Sequence, residues 1–179
     1  MKMQQKPIHK TITLIGFQSS GKTTLGQLLA NALHCSFKDI DRMIEQFHPS
    51  MLCRSIHKNF GEAYFRNLES QAIASLNFQV PFVLATGGGS LTKDENGNLL
   101  KTNSILIYLK TSGEILKERI WNRSSLPSYL SENNPHENFD VIYQKRIVIY
   151  EKWADHTIQM DDLNIQTALT SILKFVCSQ

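Results

Sequence analysis

Cysteine is scarce: three residues, Cys35, Cys53 and Cys177, stand far apart in 179 and form no C-x-x-C pair. Neither a disulfide frame nor a zinc site is indicated, and the plain reading is three small, partly buried side chains. The six histidines are scattered without metal-ligand spacing. No run approaches the roughly 18 apolar residues that cross a bilayer. The opening MKMQQKPIHK lacks the apolar centre of a secretory signal. A cytoplasmic protein with no membrane partner is therefore expected. The formal net charge is only +3, with no block of basic residues and none interleaved with aromatics. That leaves little basis for a nucleic-acid partner. Repeats and low-complexity tracts are absent too. With 41% hydrophobic and 20% charged residues, the chain has material for one core, so residues 1–179 are expected to form one domain.

What is present is a phosphate-binding loop. Gly16-Phe17-Gln18-Ser19-Ser20-Gly21-Lys22-Thr23 fits G-x-x-x-x-G-K-[ST], after the apolar run at residues 11–15 and before a helical pattern. Glycines let the backbone bend around an anion so that its N–H groups and the helix N-terminus point at phosphate oxygens. Gly16, Ser19, Ser20, Gly21, Lys22, Thr23 and Thr24 are the predicted nucleotide-binding set. Lys22 supplies charge to the β/γ-phosphates, and the Thr23 hydroxyl is placed to ligate Mg²⁺. Leu25, Leu28, Leu29, Ala32 and Leu33 then recur at helical spacing, which gives that helix an apolar stripe for a sheet.

Strand-like runs at residues 11–15, 36–38, 82–85, 105–109 and 157–160 alternate with helical patterns, which predicts an α/β fold with a parallel sheet. Residues 42–75 read as helical, broken near Pro49 and Gly61, and are too long for a simple crossover. A substrate-binding insertion at about 40–76 is plausible there. At 122–138 periodicity vanishes among Ser, Asn, Pro and Glu, as in a mobile lid. Residues 140–155 are predicted helical, and Ile165, Leu169, Ile172, Leu173 and Val176 mark a last helix capped by Asn164.

Three groups carry chemistry. Asp39 and Asp41 flank Ile40 just past the second strand, where strand ends line the ligand crevice; the alternative is a helix N-cap pair before Arg42. Arg66 lies three residues ahead of Glu69, a pair that taken alone is usually a solvated helix face. Gly87, Gly88 and Gly89 follow a strand. They imply either close approach to the backbone or positive φ, with a flexible turn as the alternative.

Together these groups resemble the shikimate kinase family, in the nucleoside-monophosphate-kinase-like branch of P-loop kinases. The resemblance spans about residues 12–160. It rests on the phosphate loop, D-x-D at Asp39 and Asp41, F-R-x-x-E at Phe65, Arg66 and Glu69, the triple glycine, and R-x-x-x-Y-x-x-x-A-D at Arg146, Tyr150, Ala154 and Asp155. It implies a P-loop kinase with a central parallel five-stranded sheet flanked by helices, moving the γ-phosphoryl group of ATP to the 3-hydroxyl of shikimate on the path to aromatic amino acids. By the same resemblance Arg66 and Arg146 grip the substrate carboxylate beside Phe65. Asp41 holds ring hydroxyls and orients or deprotonates the nucleophile, and Gly88 and Gly89 let the backbone approach the ring. Asp39 joins Thr23 at Mg²⁺, Glu69 fixes Arg66, and Arg119 lies along the adenine. A monomer is expected.

The chain departs from the family in its lid. An Arg-Pro pair is usual there, whereas Leu126 precedes Pro127 in this chain. Arg123 is the nearest substitute for the missing charge; the alternative is an exposed cation at a helix end. Competing functions are a P-loop kinase for gluconate or a nucleoside monophosphate, and a nucleotide-binding module without turnover.

Overall fold

The computed structural model describes residues 8–123, 126–130 and 134–178. The chain runs β1 (Thr11–Ile15), α1 (Lys22–Ala32), β2 (Ser36–Asp39), α2 (Ile40–Phe47), α3 (Cys53–Ala74) and β3 (Phe82–Ala85). It continues through α4 (Asp94–Asn103), β4 (Ser104–Lys110), α5 (Gly113–Trp121), α6 (Pro135–Trp153), β5 (His156–Gln159) and α7 (Ile165–Cys177). The five strands lie in the order β2-β3-β1-β4-β5, every neighbouring pair parallel.

Period-two alternation sorts the strand residues between two cores. Leu106 and Tyr108 of β4, with Phe82 and Leu84 of β3, pack into the layer built from α2 to α6, through Ile44, Leu68, Leu100, Leu116, Phe139 and Tyr150. Ile107, Leu109 and Val83 face the other way, against Leu25 and Leu29 of α1 and Leu169 and Ile172 of α7. Both faces of the sheet are covered, which is why the strands read as nearly continuous apolar runs. Two of the polar groups inside pair with each other: Thr13 donates to the Ser104 hydroxyl at 2.8 Å, and Ser104 donates to the Leu100 carbonyl at 2.7 Å.

Several boundaries differ from the sequence reading. β2 runs one residue further, β4 is longer by one residue at each end, and β5 begins and ends one residue earlier. In α1 the sheet-facing row includes Gly26, because a Cβ there would come within 2.5 Å of the Phe37 ring; Ala32 and Leu28 are only partly covered. α6 starts at Pro135, so the last four residues assigned to the lid are helical. Proline suits the first helical turn, but the polar residues after it show no periodicity. Nothing in α4, with Asn96, Gly97 and Asn98 in its middle, announces a helix; it is held by Leu100 in the core and by Asn96 donating to the Ser90 carbonyl at 2.8 Å. Cys177 is exposed rather than partly buried, and all three cysteines are free.

Strand order then positions the site. Leu14, Ala85 and Asp39 are in register across β1, β3 and β2. The segments that follow them, the phosphate loop, the triple glycine and the start of α2, therefore open into one crevice at the strand C-termini.

Candidate active site

The bend of the phosphate loop depends on its first glycine. Gly16 has φ +145°, and a Cβ on it would sit 2.9 Å from the Leu109 carbonyl oxygen, so no larger residue fits. Gly21 (φ +95°) occupies the N-cap of α1 without any side-chain cap, and the first turn has no acidic residue. The N–H groups at that helix end are thus left for an anion. Lys22 folds back over the loop and donates to the carbonyls of Gly16 (2.9 Å) and Phe17 (2.7 Å). Burial lowers its pKa to about 8, with the Arg146 and Arg123 charges acting in the same direction and Asp41 and Asp39 opposing. Ser19, Gly21, Thr23 and Thr24 line the cleft with Lys22, whereas Gly16 and Ser20 do not.

Asp39 joins both readings of the D-x-D pair. One carboxylate oxygen caps α2 by accepting the Asp41 N–H at 3.0 Å, and the other accepts the Thr23 hydroxyl proton at 2.8 Å. Asp41, in the first turn of α2, has no such bonds. Its side chain is open to the cleft, and desolvation by the surrounding protein, then Asp39 and Glu69, raise its pKa to about 6 against the pull of Lys22. A carboxylate coupled to both Lys22 and Glu69 stands between the phosphate loop and the Arg66 pair.

The Arg66–Glu69 pair is no solvated face. Glu69 is 1% exposed, pairs with the Arg66 guanidinium and accepts the Ser90 hydroxyl at 2.7 Å. Burial would lower the Arg66 pKa, but Glu69 and Glu62 outweigh it and raise it. The pair explains two of the three glycines. A Cβ on Gly87 would sit 2.6 Å from Glu69 Oε1 and 3.1 Å from Asp41 Oδ1, and one on Gly89 would overlap the Arg66 guanidinium. None of the three has positive φ, so close approach is the operative cause, by the protein's own side chains. At Gly88 the neighbours are the Gln18 backbone nitrogen on the phosphate loop, 3.2 Å from where a Cβ would stand, and Arg146 at 3.4 Å. Arg146 is buried on α6 with its guanidinium over the rings of Tyr129 (4.8 Å) and Phe17 (5.2 Å). One turn on, the Tyr150 hydroxyl donates to the Gly88 carbonyl, tying α6 to the glycine turn. Asp155 is structural: it accepts from Lys101 at 2.7 Å and from the Leu106 N–H at 2.9 Å.

Phe65, Arg66, Gly88, Gly89, Asp39, Asp41, Arg146, Arg119 and Arg123 all line one cleft of about 850 Å³ with the phosphate loop. Arg119 donates to the Ser19 carbonyl at 3.2 Å, on the loop itself. Of the expected lid, residues 124–125 and 131–133 lie outside the described residues. Within 126–130, Pro127 and Leu130 are buried, and Leu126 packs on the core as well as lining the cleft. Sequence reasoning passed over Cys53, Arg54, His57 and Tyr129, which also line the cleft. Cys53 donates its thiol to the Asp41 carbonyl at 3.1 Å, and burial, then the Asp41 and Glu45 charges, push that thiol upward. Burial and then Arg66 lower the pKa of His57, whose ring lies 5.5 Å from Phe65. For Cys53, Arg54 and His57 the spacing of α3 held the signal, and a kink at Gly61 (φ +83°, ψ 169°) obscures it; Tyr129 lies in the aperiodic stretch before α6.

A parallel sheet of order 2-3-1-4-5, with a phosphate loop after its central strand and guanidinium groups across the crevice, defines a P-loop kinase for a small acceptor. Comparison with known proteins narrows that class. The family model described as shikimate kinase matches residues 18–177. The shikimate kinase of Thermodesulfovibrio yellowstonii is 36% identical over 165 residues, covering 92% of this chain and 94% of the relative. That of Thiobacillus denitrificans is 40% identical over 145 residues, covering 81% and 78%. Among solved structures, the Acinetobacter baumannii shikimate kinase in complex with shikimate superposes with a TM-score of 0.84 at 30% identity, covering 94% of this chain and 93% of that one. The Aquifex aeolicus shikimate kinase gives 0.75 at 28% identity, covering 93% and 95%. The chain belongs to the shikimate kinase family.

Proposed function

We infer that this protein phosphorylates shikimate, transferring the γ-phosphoryl group of ATP to the 3-hydroxyl and yielding shikimate 3-phosphate for aromatic amino-acid synthesis. The observation that carries the reading within the site is Asp41. Its carboxylate is coupled to Lys22 on one side and to the Glu69–Arg66 pair on the other. The acceptor hydroxyl would meet the phosphoryl group at that point. Arg66, held by Glu69, and Arg146, held between two aromatic rings, bind the acceptor carboxylate beside Phe65; a planar donor fork suits a carboxylate better than an ammonium does. Asp41 accepts from the ring hydroxyls and orients the nucleophile. With its pKa near 6 it is ionised at neutral pH and basic enough to take up the proton as transfer proceeds.

Lys22 releases the carbonyls of Gly16 and Phe17 and turns to the β/γ-phosphates, while Gly21 and the start of α1 receive the phosphate oxygens. Arg119 lies beside the adenine. The Thr23 hydroxyl and Asp39 suit Mg²⁺: the hydroxyl keeps lone pairs for the ion, and Asp39, whose oxygens both accept protein bonds, would hold it less directly. Held by Thr23 and Asp39, such an ion would supply positive charge beside the phosphates. Arg123 supplies the cation that the lid lacks at Leu126; its charge already acts on Lys22. Residues 40–76 serve as the acceptor-binding insertion and the segment between α5 and α6 as the lid of a single-domain cytoplasmic monomer.

A coupled ADP-release assay over shikimate, gluconate, a nucleoside monophosphate and no acceptor tests the whole. Turnover with shikimate alone is expected. Equal rates with gluconate or a monophosphate would reject the acceptor, and no acceptor-dependent ADP would leave only a nucleotide-binding module.

A further inference from the structure

The first turns of α3 carry a guanidinium that the reaction as described leaves unused. Arg54 is exposed and lines the same cleft as Asp41, Arg66 and Arg146, with His57 three residues on and so on the same helix face. Four surface lysines outside the cleft are paired: Lys101 with Asp155, Lys110 with Glu151, Lys117 with Asp140 and Lys152 with Asp94. Within the cleft Arg66 is held by Glu69 and Glu62, and Arg146 by its aromatic neighbours. Among the described residues no carboxylate pairs with Arg54.

Backbone geometry explains why it faces this cavity. Gly61 breaks α3 with φ +83° and ψ 169°, which sets the half bearing Arg54 and His57 at an angle to the half bearing Phe65 and Arg66. Both halves then reach one cleft, and His57 and Phe65 meet across the break at 5.5 Å. Along the walls six cationic side chains face three carboxylates, so the cleft is strongly positive. Lys22, Arg119 and Arg123 belong to the nucleotide end, on or beside the phosphate loop. At the other end Glu69 neutralises most of the Arg66 charge, and Arg54 restores the surplus there.

We propose that Arg54 is a specificity-determining residue for an anionic acceptor. It is a third guanidinium that, with Arg66 and Arg146, selects the carboxylate of shikimate. Being solvent-exposed and unpaired, it acts by attraction across the mouth of the cleft and not by a fixed two-pronged grip. Its effect therefore falls on acceptor capture, it is screened by salt, and it vanishes for an acceptor without charge. The proposal rests on Arg66 and Arg146 marking the acceptor end, and its test separates the two claims.

Arg54→Gln, Arg54→Lys and Arg66→Lys are compared with the parent in steady-state assays varying shikimate and ATP separately, at low salt and at about 0.5 M KCl. At low salt Arg54→Gln raises KM for shikimate about two- to fivefold, the size of one unit charge acting through water over a few ångströms. Its kcat and KM for ATP stay at parental values. Arg54→Lys keeps the parental KM, the difference closes at high salt, and the neutral carboxamide of shikimate does not distinguish Arg54→Gln from the parent. An unchanged KM for shikimate in Arg54→Gln, or equal rises for ATP and shikimate, overturns the proposal. If Arg66→Lys nevertheless raises KM for shikimate, the acceptor end stands and Arg54 is a solvated surface residue; if neither variant moves it, both claims fall.

Discussion

The pH dependence of turnover follows from two side chains whose pKa values desolvation in the cleft moves toward each other. Asp41 is raised to about 6 and Lys22 lowered to about 8, and transfer needs the first ionised and the second protonated. With both substrates held well below saturation the rate reports the free protein, so it should trace a bell with limbs near those values. From these pKa values about four-fifths of the molecules are correctly charged at pH 7, and roughly a tenth at pH 5 or pH 9. The measurement is the rate from pH 4.5 to 9.5 in buffers of constant ionic strength, for the parent and two variants. Lys22→Arg keeps its charge throughout, so it should lose the alkaline limb near pH 8 while turning over more slowly. Asp41→Asn should lose the acid limb. It should also move the alkaline limb lower, because Asp41 is the main charge holding the Lys22 proton in place. Titration of ATP is common to all three proteins and cancels in the comparison. An alkaline limb that stays put in Lys22→Arg would refute the assignment, and a profile flat from pH 5 to 9 would refute the coupled pair.

Asp41 also costs stability, because a carboxyl whose pKa is raised by folding contributes stability below its unfolded pKa of about 4 and loses it as pH rises through about 6. Asp41→Asn should melt higher than the parent at pH 7.5 and at the same temperature near pH 4, by calorimetry. In Gly89→Ala the new methyl displaces the Arg66 guanidinium; the end of a long side chain can yield, so the protein should fold, with a stability loss under about 2 kcal/mol. Its KM for shikimate should rise about tenfold with KM for ATP little changed, the pattern of lost acceptor binding; equal changes in both would count against the acceptor role. Arg146→Lys forfeits the ring contacts with Phe17 and Tyr129 and should likewise raise KM for shikimate, with about 1 kcal/mol lost in urea unfolding. Arg123→Ala should lower kcat by at least tenfold if its charge serves the transferring phosphate. If that variant keeps its kcat while Leu126→Arg raises it, the lid is simply weakened.

Two kinds of information were legible in the sequence: local backbone demands and periodicity. The phosphate loop had to bend because Gly16 and Gly21 take positive φ, and the helix after it had to pack because leucines recur at its spacing. Both are short-range constraints, and both survive folding unchanged. The five strands could be placed to within a residue for the same reason. Which strand ends meet was a matter of topology. Asp39 and Thr23 share a hydrogen bond only because β2 and β1 flank β3, a pairing that no local pattern encodes. The triple glycine could be seen to need space, but its occupants, among them Arg66, Glu69, Arg146 and the backbone at Gln18, come from segments distant in sequence. Arg66–Glu69 looks like any i,i+3 surface pair until the fold buries Glu69 and gives it Ser90 as a second partner. Charge state is decided last of all. An aspartate and a lysine carry ordinary pKa values in the chain, and only desolvation within a shared cleft draws them to about 6 and about 8.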